Sequence, residues 1–326
     1  MMMIRAPHAH EGLSIATLMF KVNLALLPAA LLGAMQFGFP AMALLITCVL
    51  TVIVCEWGAH RLNPNASGRS NDGSALLTGL LLAMSLPPHA PLWMGALGSA
   101  IAILFGKQLY GGLGQNLFNP AMLARVVLLI SFPVEMTNWV KPSAFYEGQW
   151  YKLADGISGA TTLGAVKEGE MQAFDLMHHL LGTNSGSLGE TSALLLTIGG
   201  LWLIQQRVFT WHVPVASLLG CLLPGTLLWC FAPESTALPL AQLTSGGLLL
   251  GAFFIATDPV TSPTSSLGKL VFGAGFGFLV FVIRSFGNFP EGVAFAILIM
   301  NAATPLIDTY TRQRVYGHQQ EQEEQA

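Results

Sequence analysis

Asp72-Gly73-Ser74-Ala75-Leu76-Leu77 has a counterpart later in the chain, Ser245-Gly246-Gly247-Leu248-Leu249-Leu250. Each opens a glycine-rich apolar run. Each run ends in a proline turn, Ser85-Leu86-Pro87-Pro88 in the first and Thr257-Asp258-Pro259 in the second. A second pairing sets Phe105-Gly106-Lys107 through Asn119-Pro120-Ala121 against Phe272-Gly273-Ala274 through Asn288-Phe289-Pro290. Related segments at matching places predict an internal repeat. Apolar segments interrupted by Gly and Pro in both halves of a membrane protein point to a site between the halves.

The sequence around these segments is apolar as well. The chain has 326 residues, 53% hydrophobic and 10% charged, where a soluble domain carries about 25% charged residues. Most of its surface therefore faces something apolar. A membrane helix takes roughly 20 mostly apolar residues. Ten spans are predicted, at 18–36, 40–59, 72–87, 91–110, 120–133, 191–206, 213–231, 239–257, 268–284 and 290–308, the third and fifth being short. The first is read as an uncleaved span, since removing it would break the repeat. Ten spans divide into two fives, and a repeat with an odd number of spans runs inverted in its second copy. The expected fold is an all-α polytopic membrane protein of two inverted five-helix repeats with one long outside loop. Its divisions are 1–133 for the first repeat, 134–190 for the loop, 191–310 for the second repeat and 311–326 for a polar cytoplasmic tail.

Lys and Arg near span ends are retained in the cytoplasm. With the N-terminus inside, Arg5, Lys21, Arg61, Arg69, Lys107, Arg125, Arg207, Lys269, Arg312 and Arg314 fall on the inner side. Lys141, Lys152, Lys167 and Arg284 fall outside, three of them in the long loop. Both termini are thus expected in the cytoplasm and the loop on the outside. A net charge of −3 with no basic stripe gives no reason to expect nucleic acid. Cys48, Cys55, Cys221 and Cys230 lie in apolar runs with no CxxC, which argues against an iron–sulfur cluster held by this chain alone.

Polar residues in such a chain carry the functional information. Asn119-Pro120 and Phe289-Pro290 each begin a fifth span; Asn caps helices and Pro suits the first helical position. A helix start of this kind either is an ordinary cap or offers N–H groups to an electron-rich ligand. Glu56, Arg125, Asp258, Arg284 and Asp308 lie within or at the ends of spans, where ionisable groups are functional suspects. The alternative is snorkelling at an interface and, for Arg125 and Arg207, a topological signal. His178-His179 lacks a carboxylate or thiol at ligand spacing and reads as a solvated loop pair. Trp139 and Trp150 fit a membrane interface.

Asp155-Gly156-Ile157-Ser158-Gly159-Ala160-Thr161 lies in the long polar loop. Asp-Gly and Ser-Gly pairs form turns, and small residues beside Thr161 would leave its hydroxyl exposed to a modifying enzyme. Thr162 is the competing acceptor.

These residues carry a resemblance. With Ser158-Gly159-Ala160-Thr161 stand Asn63-Pro64-Asn65, Gly114-Gln115-Asn116-Leu117-Phe118-Asn119-Pro120-Ala121 and Ala256-Thr257-Asp258-Pro259-Val260-Thr261-Ser262-Pro263. Together they resemble the D subunits of Rnf-type (Rsx) ion-translocating electron transport complexes. More distantly the chain is similar to the B subunits of the sodium-translocating NADH:quinone oxidoreductase. The resemblance implies a urea-transporter-like fold and an electron-relay role in a complex that couples ferredoxin/NAD electron transfer to ion movement. It implies FMN joined to Thr161 as a phosphoester by a flavin transferase, with Asp155, Ser158, Gly159 and Ala160 completing the motif. The implied partners are the other Rnf/Rsx subunits, including a periplasmic FMN-bearing one, and the lipid bilayer. A transporter or channel of the same architecture without a redox cofactor is the rival class, and a structural scaffold protein is a second.

The inverted repeat would place Ser85, Pro87 and Pro88 near Arg284, Asn288 and Pro290 on the outer side, where Arg284 would meet the flavin. On the inner side it would bring Thr257, Asp258 and Pro259 to Gln115, Asn116 and Asn119. That inner pocket either holds a second, non-covalent flavin such as riboflavin or simply packs.

Overall fold

A computed structural model describes residues 14–62, 72–142, 161, 164, 176–182, 184–190, 192–232, 238–287 and 291–312. The described secondary structure is helical. The first half holds α1 (Ile15–Phe37), α2 (Phe39–Leu62), α3 (Ser74–Ser85), α4 (Leu92–Leu104) and α5 (Pro120–Ser131). The second holds α6 (Ala193–Gln205), α7 (His212–Phe231), α8, α9 (Ser266–Phe286) and α10 (Val293–Tyr310). Here α8 is broken into Pro239–Thr244, Leu248–Leu250 and a π-helical Gly251–Ile255. Short helices Pro133–Met136 and Leu176–Leu181 lie between the halves.

Every predicted span contains a helix, but they are not alike. Six helices are long and apolar enough to cross a membrane, with the fourth counted through Tyr110. The helices α3, α5 and α6 have 12, 12 and 13 residues. At 1.5 Å per residue each covers about 20 Å, short of a ~30 Å hydrocarbon core. Shortness was expected for the third and fifth spans; the sixth is short as well, and the eighth is interrupted. The short elements are shielded by the long ones. Every residue of α3 except Leu76 and Leu77 is buried, as are all of Leu248–Ile255. By contrast α2 exposes Ile46, Leu50, Ile53, Val54 and Trp57. A surface so apolar fits lipid rather than water. Interrupted backbone at membrane depth persists where protein encloses it, and that is where α3 and α8 sit.

Helix packing repeats between the halves. Within the first, α2 packs on α3 and α4, α4 on α5, and α3 on α1 and α5. Within the second, α7 packs on α8 and α9, α9 on α10, and α8 on α6 and α10. The halves meet through α1 against α6 and α5 against α10. The backbone repeats too. Gly73 has φ +79° and Gly246 φ +66°, left-handed values at equivalent places before α3 and in the break of α8. One sequence pairing is corrected. Phe105-Gly106 follows the end of α4, while Phe272-Gly273 lies early in α9; the segment at the end of α9 is Phe286-Gly287. Gly273 instead serves packing, since a Cβ there would lie 2.6 Å from the Val213 carbonyl oxygen of α7. Small residues at such crossings let membrane helices approach closely.

Candidate functional site

Two polar centres lie at the breaks of this scaffold. In the first half Lys107, just beyond α4, pairs with Glu56 of α2, both 3% exposed. Lys107 Nζ also donates to Ser74 Oγ at 2.6 Å, and Ser74 N donates to Asp72 Oδ1 at 2.9 Å. A cavity of about 60 Å³ opens beside this cluster. Ser74, Thr78, Lys107, Asn116, Asn119, Thr257, Asp258 and Pro259 line it, with apolar walls from α1 and Phe254. Asn116, Asn119, Thr257 and Asp258 therefore converge as expected, while Gln115 is exposed and outside the lining.

The helix start there is closed. Asn119 Oδ1 accepts from Ala121 N at 3.1 Å and Met122 N at 3.3 Å. Asn119 is an ordinary cap, and those N–H groups are not offered to a ligand. Thr257 Oγ1 donates to Phe253 O at 2.7 Å, and Asp258 accepts from Val260 N and the Thr261 hydroxyl.

In the second half a cleft is lined by Thr161, His179, Asn184, Ser185, Glu190, Thr244, Ser245, Gly246 and Glu291. Thr161 is 8% exposed and its Oγ1 accepts from Gly164 N at 3.0 Å. The hydroxyl is thus buried, contrary to the expectation of an exposed one. The free space, about 10 Å³, suits one water. Asn184 Nδ2 is buried without a partner among the described residues, an orphan of the kind that normally marks a missing partner.

Charges crowd behind this cleft. Arg125 of α5 pairs with Glu291, ahead of α10, and Gly247 N donates to Glu291 Oε1 at 3.1 Å. Ser187 Oγ donates to Glu190 Oε1 at 2.8 Å, and Glu190 and Glu291 line the same cleft. Burial pushes Glu190 well above the usual carboxylate range, and the neighbouring Glu291 charge adds to it. Burial also works to raise Glu291, but Arg125, the neighbouring Glu190 and Arg284 outweigh it and hold Glu291 at about 2.

Several assignments change. Arg284 is buried, and its Nη1 and Nη2 donate to Gln242 O at 2.6 Å and Ser245 O at 3.0 Å. It caps the carbonyl end of the first segment of α8 rather than lining the cleft. Ser85, Pro87 and Pro88 are not among the described lining residues either, although the Leu188–Glu190 turn abuts the end of α3. Arg125 is the partner of a buried acid, not merely a topological signal. His179 is buried with Nδ1 3.3 Å from Ser245 Oγ, so it is no solvated loop residue. Trp139 is buried too, at 8% exposure. Asp155, Ser158, Gly159, Ala160, Asn288 and Pro290 lie outside the described residues, as do Trp150 and Thr162.

Comparison with known proteins settles the lineage. The family model described as NQR2, RnfD, RnfE matches residues 2–317. The chain belongs to this family. It is 50% identical to the D subunit of the ion-translocating oxidoreductase complex of Stutzerimonas stutzeri, covering 93% of this chain and 92% of that one. The D subunit from Halorhodospira halophila is 45% identical over 97% and 95% of the two chains. That of Escherichia fergusonii is 43% identical over 96% and 97%. Membership of the NQR2, RnfD, RnfE family spans both halves, so the paired clusters lie within the family-matched region.

Sequence reasoning missed Lys107, Glu190 and Glu291 as site residues. Glu56 and Lys107 are 51 positions apart, and Arg125 and Glu291 166. One signal was available. In a chain with so few charges, an acid and a base at span ends must find each other when buried.

Proposed function

We propose that this chain is an electron-relay subunit of an ion-translocating oxidoreductase complex, carrying FMN esterified through its phosphate to Thr161. Family membership supports the first part, because the relatives are subunits of such a complex by name. The place of Thr161 in a polar cleft beside Asn184 Nδ2, a donor without a partner among the described residues, supports the second. The residues present fit a phosphoester: the Thr161 hydroxyl supplies the bonding oxygen and Asn184 Nδ2 a free donor. The free space beside the Thr161 hydroxyl, about 10 Å³, suits one water, so an attached phosphate and flavin ring lie beyond it. Arg284 is tied to carbonyls and acts on the cleft through its field. When bound, FMN supplies the electron-transfer chemistry; the chain's own groups set the charge around its anchor.

The partners are the remaining Rnf/Rsx subunits, among them a periplasmic FMN-bearing one, and a flavin transferase for maturation. The chain resides in the bacterial inner membrane with both termini cytoplasmic, on the strength of its cation asymmetry. Reporter fusions after Gly148 and after Arg314 then give opposite signals, and matching signals would reverse this topology. The inner cavity where Asn116, Asn119, Thr257 and Asp258 converge either receives a second, non-covalent flavin such as riboflavin, for which its volume of about 60 Å³ would have to widen, or simply packs. Release of free flavin on denaturing the wild type, but not an Asn116→Leu/Thr257→Val variant, checks this. The main test is flavin fluorescence of the denatured band. Thr161→Ala and Thr161→Val abolish it, and Thr161→Ser keeps part of it. Full fluorescence in Thr161→Val would overturn the assignment and point to Thr162.

A further inference from the structure

The Thr161 cleft is short of positive charge. Among its described lining residues two are acids, Glu190 and Glu291, and His179 is the one that can become a cation. Neither nearby arginine lines the cleft. Arg125 pairs with Glu291, and Arg284 donates through both terminal nitrogens to the carbonyls of Gln242 and Ser245. His179 is 6% exposed, and its Nδ1 lies 3.3 Å from Ser245 Oγ. Ser245 is thus held at both ends, its carbonyl by Arg284 and its hydroxyl by His179. The Leu176–Leu181 helix that carries the imidazole is fixed as well. Gln36 Nε2 of α1 donates to Leu181 O at 2.8 Å, and Ser192 Oγ, ahead of α6, donates to Leu180 O at 3.2 Å.

We propose that His179, acting through the Ser245 hydroxyl, carries the counter-charge for a phosphodiester on Thr161. This rests on the assignment of FMN to Thr161. A phosphodiester keeps one negative charge across the pH range of a folded protein, and here it would join a cleft that already holds two carboxyl groups. An opposite charge close by favours the charged form of a titratable group. Histidine is the side chain whose charge changes near neutrality, from an ordinary value of about 6.5. Once protonated, both of its ring nitrogens donate. Nδ1–H then donates to Ser245 Oγ, which leaves the Ser245 proton to point at a phosphate oxygen, directly or across the one water for which the cleft has room. The imidazole takes its proton from water and returns it as pH rises. The other charged or titratable groups around it are Glu190 and Glu291 in the cleft, Arg284 beyond Ser245, Arg125 behind Glu291, and the exposed His178 on its own helix. α6 and the first segment of α8, which pack against that helix, bring no titratable side chain.

The experiment is phosphorus NMR of the purified full chain with its flavin, in a phosphorus-free detergent, across a pH series. A phosphodiester does not itself titrate near neutrality, so a pH-dependent movement of its resonance reports a neighbour. In wild type the resonance moves with a midpoint above about 6.5, the ordinary histidine value. His179→Gln keeps the covalent flavin and loses the movement. His179→Arg keeps the charge, so its resonance stays near the acid limit of wild type at every pH. Ser245→Ala leaves the carbonyl for Arg284 but removes the link, and the midpoint falls. A resonance that does not move in wild type, or that moves as before in His179→Gln, would overturn the proposal; should that variant not accumulate, an unchanged profile in Ser245→Ala would do so. If denatured wild type shows neither flavin fluorescence nor a diester resonance, the function proposed above fails and this inference with it. A diester resonance indifferent to His179 sinks the inference alone.

Discussion

The turn at Asp72–Ser74 and the turn at Ser245–Gly247 are the same device used to different ends. Each places a left-handed glycine before a short buried helical segment, and in each a cation from the end of the fourth helix of its half reaches back to that turn. In the first half each acid among the described residues has its own donor: Glu56 has Lys107, and Asp72 has the Ser74 amide. In the second half Arg284 is occupied by carbonyls, Arg125 is matched to Glu291, and Glu190 has the Ser187 hydroxyl and lies beside the Glu291 charge. One scaffold thus yields a locked joint and, across the pseudo-symmetry, a joint with a titratable group in reserve. That reserve lies beside Thr161, the residue proposed to carry the flavin.

The largest expected effect separates the two joints. Removing one member of a buried ion pair costs about 3–5 kcal/mol when the other charge is stranded. Lys107→Met should lose that much in thermal or denaturant unfolding, and the double variant Lys107→Met/Glu56→Gln should regain most of it. Arg125→Met should cost clearly less, because Glu291 can then share or take up a proton. Equal losses for Lys107→Met and Arg125→Met would erase the distinction.

The glycine turns give a smaller effect. A left-handed conformation costs an L-residue roughly 1–2 kcal/mol. Gly73→Ala should lose about that, since its nearest neighbours would be 3.5 Å from the new Cβ. Gly246→Ala should lose more, because its Cβ would strike Arg284 Nη2. The reverse order would mean that Arg284 is not held at that turn.

The smallest effect concerns pH. An acid whose pKa is raised by folding keeps a proton that the unfolded chain has lost, so stability falls as pH rises from the unfolded value towards the folded one. Glu190 has this sense, and Glu190→Gln should therefore lessen the loss of stability above the ordinary carboxylate range. Glu291 has the opposite sense. Its contribution is present above the unfolded value and disappears as pH falls through about 2. A Glu190→Gln variant whose stability falls with pH as steeply as wild type would place the proton elsewhere.

The apolar runs made all ten elements legible, because burial in lipid leaves a long one-dimensional signature. The Asp72-Gly73-Ser74 and Ser245-Gly246-Gly247 pairing was legible because left-handed turns demand glycine. The meeting of Asn116 and Asn119 with Thr257 and Asp258 followed from the repeat alone. The break within α8 was not foreseen, since Leu248–Ile255 is as apolar as any span and only burial shows it to be interior. The ion pairs were hidden for another reason. Long-range partners leave no local spacing, so Arg125 resembled a topology signal and His179 a loop residue until the fold brought Glu291 and Ser245 to them. The burial of Thr161 was likewise missed, because small neighbours suggest an open turn and say nothing of what packs over it.

The central claim is that Thr161 anchors a flavin. Mass spectrometry of the proteolytic fragment bearing Thr161, from protein made in cells with the flavin transferase, tests it most directly. The expected result is a mass increment of one FMN less one water, localised by fragmentation to Thr161. An unmodified Thr161, or the same increment on Thr162, would contradict the account.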